Sequence, residues 1–281
     1  GRPRLLPRSD RPGWRRRGFD YWAAYNAGLK HWDWTYFETD GTPHFVEDYA
    51  PDRQTDLAID FIRRSRADDE QPFCLFLAWG PPHTPHTPPQ QFDELYASAD
   101  IDLRPNVPEH ERDRARREAA KYYALITSLD SNMERLVSLL RDEGLLENTI
   151  VCFTADHGDM LGSQGLYRKG VPFEEATRIP LIFYGAGSIR GGHRVDLPVT
   201  NADLVPTFLS MCGADVPEGV HGRNLSAMIT GDSIDAERDS ILVQGGFVDG
   251  NRAWRMVRSD RYMYTARPDT RSTQNSVEPL Y

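Results

Sequence analysis

Cysteine is scarce: Cys74, Cys152 and Cys212 are the only three in 281 residues. The number is odd and no pair shares a Cys-x-x-Cys spacing, which excludes a paired-cysteine metal site and argues against a disulfide framework. Thiols used this way fit a reducing compartment. Cys74 and Cys152 lie inside apolar runs, where cysteine behaves as a small buried hydrophobe. Long hydrophobic runs are missing as well. No stretch approaches the ~20 apolar residues of a membrane-spanning helix, so no membrane span is expected. Positive charge is in deficit, and a net charge of −9 argues against nucleic acid or an acidic membrane as the main partner. What is present is ordinary: 39% hydrophobic and 27% charged residues suit a chain that buries a large core.

The basic residues concentrate at the start, in "GRPRLLPRSDRPGWRRRGF". This arginine-rich, proline-punctuated segment has no apolar core of the kind a secretory signal carries, and it predicts a basic N-terminal arm over residues 1–20, mobile or strapped along the surface. "GFDYWAAYNAGLKHWDWTYFETDG" follows, dense in Trp and Tyr but without a clean period. It suits a cleft wall, or equally a long loop packed on the core. "DRQTDLAIDFIRRSR" places Leu57, Ala58, Phe61 and Ile62 on one helical face. "PFCLFLAWG", residues 72–80, is a short apolar run closed by Gly-Pro-Pro and predicts a strand buried on both faces. From Glu118 a long helix is expected, with Tyr122, Leu125, Ile126, Leu129, Met133, Leu136, Val137 and Leu140 at three- and four-residue steps and Gly144 at its C-cap. "NTIVCFTADHG" and "IPLIFYG" then read as strands, and "NADLVPTFLSMCG" as a short helix from near Asp203 to Gly213. The organisation expected is an α/β core over residues 21–212 and a smaller antiparallel subdomain over 213–281. Its strands are "SILVQGG", "AWRMVRSD" and "RYMYTA", the last two joined by a Ser259-Asp260 turn.

Strand, long helix, strand is a βαβ unit, whose two strands run parallel and open their carboxyl ends at one sheet edge. Ligands of open α/β sheets bind at that edge. The first of these strands ends in "GPPHTPH" and the second in "ADHGD", so His83 and the pair Asp156-His157 are expected along one rim. Asp and His at a strand end can ligate one cation, but two groups are too few for a complete site. The alternative is an Asp156 that caps the next turn and a His157 hydrogen-bonded at the surface. His83, held between prolines, suits a positioned catalytic group or an ordinary strand exit, and His86 is a weaker candidate. Lys169, in a glycine-bounded loop just after the Asp-His pair, can hold an anionic substrate oxygen or simply sit in solvent.

The segments "PFCLFLAWGPPHTPHTPPQQFDELY", "KYYALITSLDSNMERLVSLLRDEGLLENTIVCFTADHGDMLGSQGLYRKG" and "EEATRIPLIFYGAG" occur in this order. With them the chain resembles the sulfatase family of the alkaline phosphatase superfamily, from "GFDYW" to the terminal "EPLY". The resemblance implies an α/β fold, an α/β/α sandwich on a mainly parallel, mixed sheet with a small C-terminal antiparallel subdomain. It also implies metal-dependent hydrolysis of a small-molecule sulfate ester. Asp156 and His157 would be two ligands of a divalent metal ion, usually Ca2+, with Mn2+ or Mg2+ as alternatives because some members carry Asn where His157 stands. His83 would lie near the leaving-group and sulfate oxygens, and Lys169 would bridge sulfate to the nucleophile.

The chain departs from the family at one point. The family's nucleophile is a formylglycine made from Cys or Ser in a Cys/Ser-x-Pro-x-Arg motif. No cysteine or serine here has proline two places on. The family's early Asp-Asp pair and Gly-Lys-Trp-His segment are also not found, and Asp68-Asp69 follow a helix rather than a strand. These absences fall upstream of one position, as expected of a chain lacking its N-terminal portion. The other readings are a phosphonate monoester or phosphodiester hydrolase of the same superfamily, and a non-catalytic truncated pseudoenzyme.

Overall fold

The computed structural model describes residues 18–25, 28, 30–66, 71–232, 238–246, 253–267 and 276–278. Almost all of the expected basic arm, residues 1–17, lies outside them, as do Asp68 and Asp69. The chain divides into two compact units: residues 1–103 with 112–143, and residues 104–111 with 144–281.

In the first unit, β1 (Trp34–Phe37) and β2 (Pro43–Val46) form an antiparallel hairpin in which Trp34 faces Val46 and Phe37 faces Pro43. Aromatic and β-branched residues favour the strands. Asp40 closes the turn by accepting the Thr42 N–H at 2.8 Å, and Gly41 supplies the positive φ of 85° that the turn requires. Helix α1 (Ala50–Arg66) buries Thr55, Ala58 and Ile62, while Leu57 is half-buried against the cluster of Trp34, Tyr36 and Ala50. The short α2 (Gln90–Asp93) precedes α3 (Arg112–Asp142), which begins before the expected Glu118 and ends ahead of Gly144 at φ 68°. Leu125, Leu129, Leu136 and Leu140 are buried as the periodicity predicts, but Ile126 is 43% exposed. Two polar residues, Ser128 and Asn132, share the buried face. The Tyr49 hydroxyl and Ser128 Oγ stand 3.0 Å apart, and Asn132 Nδ2 donates to Asp52 at 2.7 Å, so the α1–α3 contact is a satisfied polar seam within an apolar one.

Residues 71–80 take part in no ladder among the described residues. Exposure alternates instead: Phe73, Leu75, Leu77 and Trp79 are half-buried, while Cys74, Phe76 and Ala78 are exposed. The inner residues rest on α1, with the Phe73 ring 6.0 Å from that of Phe61 and Trp79 Nε1 donating to Thr55 Oγ1 at 3.2 Å. The expected two-faced burial of this run, and of Cys74, is thus corrected. An apolar run is buried on both faces only where both are covered, and α1 covers one.

In the second unit, β3 (Ile150–Thr154) pairs antiparallel with β4 (Leu181–Gly185), Thr154 facing Leu181. The parallel ladder expected of the βαβ reading is not among those described. Helix α4 (Glu174–Thr177) precedes β4. After it come α5 (Leu204–Met211) and α6 (Ser226–Thr230), then β5 (Ser240–Gly245), β6 (Trp254–Ser259), β7 (Met263–Arg267) and β8 (Ser276–Glu278) in an antiparallel sheet of that order. The C-terminal strands and their turn lie where the sequence places them.

Asp203, at the entry of α5, is fully buried. It accepts the N–H groups of Thr200 and Arg223, each at 2.8 Å, and both guanidinium arms of Arg238. Burial alone would raise its pKa. The Arg238 guanidinium and the two backbone donors outweigh burial and hold the carboxyl below the usual range.

Candidate functional site

The chain leaves β3 at Thr154 and turns within four residues. Asp156 Oδ1 accepts the His157 N–H at 2.9 Å, which fixes the turn and is the capping role foreseen as an alternative. His157 Nδ1 lies 2.8 Å from the Gly158 carbonyl. A carbonyl accepts only, so that nitrogen carries a proton, and Nε2 lies 3.5 Å from Asp156 Oδ2. The Asp156 side chain is 86% exposed and that of His157 27%. An unprotonated imidazole nitrogen and a carboxylate oxygen at this separation can bind one cation between them at bond lengths of roughly 2.0–2.5 Å. The backbone hydrogen bond on the far side of the ring is the arrangement that orients a metal-ligating histidine. Asp156 and His157 therefore fit a divalent ion as part of a shell. Among the described residues no group of three or more His, Cys, Asp or Glu side chains stands at metal-binding spacing.

Beyond the turn, main-chain hydrogen bonds hold the loop in place. Gly158 N donates to Ala176 O at 2.9 Å, and a Cβ at Gly158 would collide with the Glu175 carbonyl. Only glycine fits between the turn and α4. Asp159, which the sequence alone did not single out, accepts the N–H groups of Leu161 and Arg168 at 2.9 and 3.0 Å. Met160 N donates to Arg168 O at 3.0 Å and Gly162 N to Leu166 O at 2.8 Å, closing the loop on itself. Trp254 Nε1 donates to Gly170 O at 3.0 Å. Lys169 is thus an exposed side chain between two anchored neighbours. Asp159 and Trp254 position it, and the one signal for Asp159 was a carboxylate two places beyond a site histidine.

His83 belongs to the first unit. Its N–H closes a turn on Gly80 O at 3.2 Å, and its Nδ1 lies 2.7 Å from Thr84 O, which again leaves the proton on Nδ1. His86 Nδ1 lies 2.7 Å from Glu118 Oε2. Trp32 Nε1 donates to Thr87 O at 3.0 Å, and the ring of His31 lies against Gly80, so neighbours in sequence clamp both ends of the loop. His31 is 2% exposed, and both its ring nitrogens lack a hydrogen-bond partner among the described residues. Burial, with His83 and His86 adding to it, lowers its pKa to about 4, so it is neutral at ordinary pH.

A profile of the sulfatase family matches residues 6–214. The chain belongs to the sulfatase family. It is 30% identical over 263 residues to an ulvan-active sulfatase of Formosa agariphila, an alignment covering 90% of this chain and 51% of that protein. The crystal structure of yidJ from Bacteroides fragilis superposes with a TM-score of 0.86 at 30% identity, over 95% of this chain and 60% of that one. Its alkaline phosphatase-like α/β fold with a small antiparallel C-terminal sheet is therefore that of the sulfatases. A phosphonate monoester hydrolase of Silicibacter pomeroyi shares the fold, with a TM-score of 0.71 at 22% identity over 94% of this chain and 61% of that one. The chain spans about half the length of the curated sulfatases it matches.

Proposed function

We propose that this sulfatase chain is part of a metal-dependent sulfate-ester hydrolase, with Asp156 and His157 as metal ligands and Lys169 acting on the ester, and that His83, in the other unit, is a catalytic histidine of the same enzyme. The observation that carries the reading is the Asp156-His157 turn. Its imidazole donates from Nδ1 to Gly158 O, which turns Nε2 towards a carboxylate oxygen 3.5 Å away. A divalent cation held by Asp156 and His157, calcium before manganese or magnesium, would supply positive charge to the sulfate oxygens. Lys169 places an ammonium on another of those oxygens, and its anchored neighbours reduce the entropy lost in doing so. No residue in a formylglycine-type context supplies the attacking oxygen, so the chain by itself does not complete the reaction.

Two measurements test this. In calorimetry the chain should bind Ca2+ weakly, with dissociation constants in the roughly millimolar range, and Asp156→Asn should abolish the heat. Tight stoichiometric binding would mean that the shell is completed within these residues. In a nitrophenyl sulfate assay the chain alone should be inactive. Joined to an upstream sulfatase portion it should turn over, and Lys169→Ala should cost ~10²–10³ in rate. Faster turnover of a phosphonate monoester by the joined protein would assign it to the phosphonate branch of the superfamily.

A further inference from the structure

The first unit holds a cavity of about 290 Å3 that none of the metal or ester residues lines. Its walls include Leu95, Tyr96, Asp100, Asp102 and Tyr123. They are held from behind. Tyr96 and Leu103 pack on the buried cluster of Ile101, Ala119 and Ala120, which seats this segment on α3. One turn of 3-10 helix, Ser98–Asp100, runs into Ile101, whose backbone is extended and whose side chain is buried. The chain anchors through Ile101 and leaves the aspartates on either side of it exposed along the cavity. The rings of Tyr96 and Tyr123 have centroids 5.9 Å apart and planes at 65°, so they form a corner. Thr127 Oγ1 uses its only proton on the Tyr123 carbonyl at 3.1 Å. The 2.7 Å contact between the Tyr96 hydroxyl and Thr127 Oγ1 is therefore donated by the tyrosine, which fixes that ring and leaves its oxygen able only to accept.

The charge of these walls restricts what they can hold. Among the described residues neither Asp100 nor Asp102 has an ion pair or a side-chain hydrogen bond, and no Lys, Arg or His lines the cavity. An anion would be repelled, and an uncharged guest would leave both carboxylates unanswered. A cation is drawn by the carboxylates and by the negative faces of the two rings, which attract an ammonium within about 6 Å of a centroid. A bare calcium ion needs at least six oxygen ligands, and no acidic or histidine cluster at metal-binding spacing stands here among the described residues. The volume is at the small end for a ligand pocket, so the guest is one compact group.

We propose that this cavity binds an alkylammonium group, seated on the Tyr96–Tyr123 corner with its charge towards Asp100 and Asp102. It shares no residue with the metal or ester chemistry, so it stands or falls apart from the proposed function. The test is saturation-transfer NMR on the whole chain with tetramethylammonium and n-butylammonium, and with neopentyl alcohol as an uncharged counterpart. Both ammonium ions should bind saturably, and neopentyl alcohol about tenfold more weakly. Tighter binding of n-butylammonium would mark a primary amine, such as a lysine side chain, as the guest; tighter binding of tetramethylammonium would mark a quaternary one. Asp100→Asn combined with Asp102→Asn should weaken both ions about fivefold or more. Tyr123→Leu, at a position already 39% exposed, should weaken them several-fold, whereas Tyr123→Phe keeps the ring and should leave binding intact. Equal binding of neopentyl alcohol overturns the proposal, as does ammonium binding unchanged by the paired Asn substitutions and by Tyr123→Leu. Displacement of tetramethylammonium by methyl β-galactoside would make the cavity a neutral sugar subsite instead. Displacement by one equivalent of Ca2+ would make the carboxylates metal ligands, and either result overturns the assignment.

Discussion

The loops at residues 80–87 and 155–170 each follow an apolar run and each carry a site histidine, yet they are shaped by different means. The first is stiffened by prolines and clamped by side chains: His31 against Gly80, Trp32 on Thr87 O and Glu118 on His86. The second is wired main chain to main chain, through Gly158 to Ala176 and Met160 to Arg168, with one carboxylate, Asp159, at its centre. Side-chain clamps can be removed one at a time. A backbone lattice that requires a glycine fails as a whole.

The largest expected effect breaks that lattice. Gly158→Ala forces a Cβ into the Glu175 carbonyl, which cannot retreat without displacing α4, and should cost more than about 3 kcal/mol in urea unfolding. A cost below ~1 kcal/mol would mean that the turn and α4 yield easily. The next effect belongs to the proline loop. His31 resists protonation down to about pH 4, whereas its ordinary value is 6.5. Between these values the unfolded chain binds the proton and the folded chain does not. The stability His31 contributes is therefore complete above pH 6.5, lost as pH falls to about 4 and flat below. The loss is on the order of 3 kcal/mol and should vanish in His31→Gln, compared by urea titration across that range. Equal slopes in the two proteins would count against a buried neutral imidazole. Asp159→Ala leaves two N–H groups without their acceptor and should cost ~2 kcal/mol. Hydrogen exchange at Leu161 and Arg168 should accelerate with it, and unchanged rates there would refute the lattice. The smallest effect sharpens the comparison: Lys169→Ala should change stability by less than ~0.5 kcal/mol, because its anchored neighbours, not its side chain, hold the loop. A larger loss would give that lysine a structural role.

The sequence revealed most where hydrophobic period and turn chemistry agree. The leucine ladder of α3, the glycine at its end and the three C-terminal strands were legible because burial on one face writes a repeat into the residues. Residues 71–80 were not, because an apolar run looks the same whether one or both faces are covered. Ser128 and Asn132 escaped notice for a related reason: polar residues on a buried face leave no period, and their partners Tyr49 and Asp52 are remote in sequence. At the candidate site, Asp156, His157, His83 and Lys169 stood out by residue type and by position at the ends of runs. The supports Asp159 and Trp254 did not, since what defines them is a backbone group 9 residues away for one and 84 for the other.

Asp203 ties together three stretches of chain that meet nowhere else in sequence: its own, that of Arg223 and that of Arg238. The residues between the first two include 213–219, a continuous exposed run. A protease that severs this run leaves the carboxylate on one fragment and two of its donors, the Arg223 N–H and the Arg238 guanidinium, on the other. The buried ion pair and the backbone bond to Arg223 then act as a non-covalent staple. The nicked protein should migrate as two bands in denaturing gels yet stay one particle in native solution, and acid that protonates Asp203 should be what lets the pieces part.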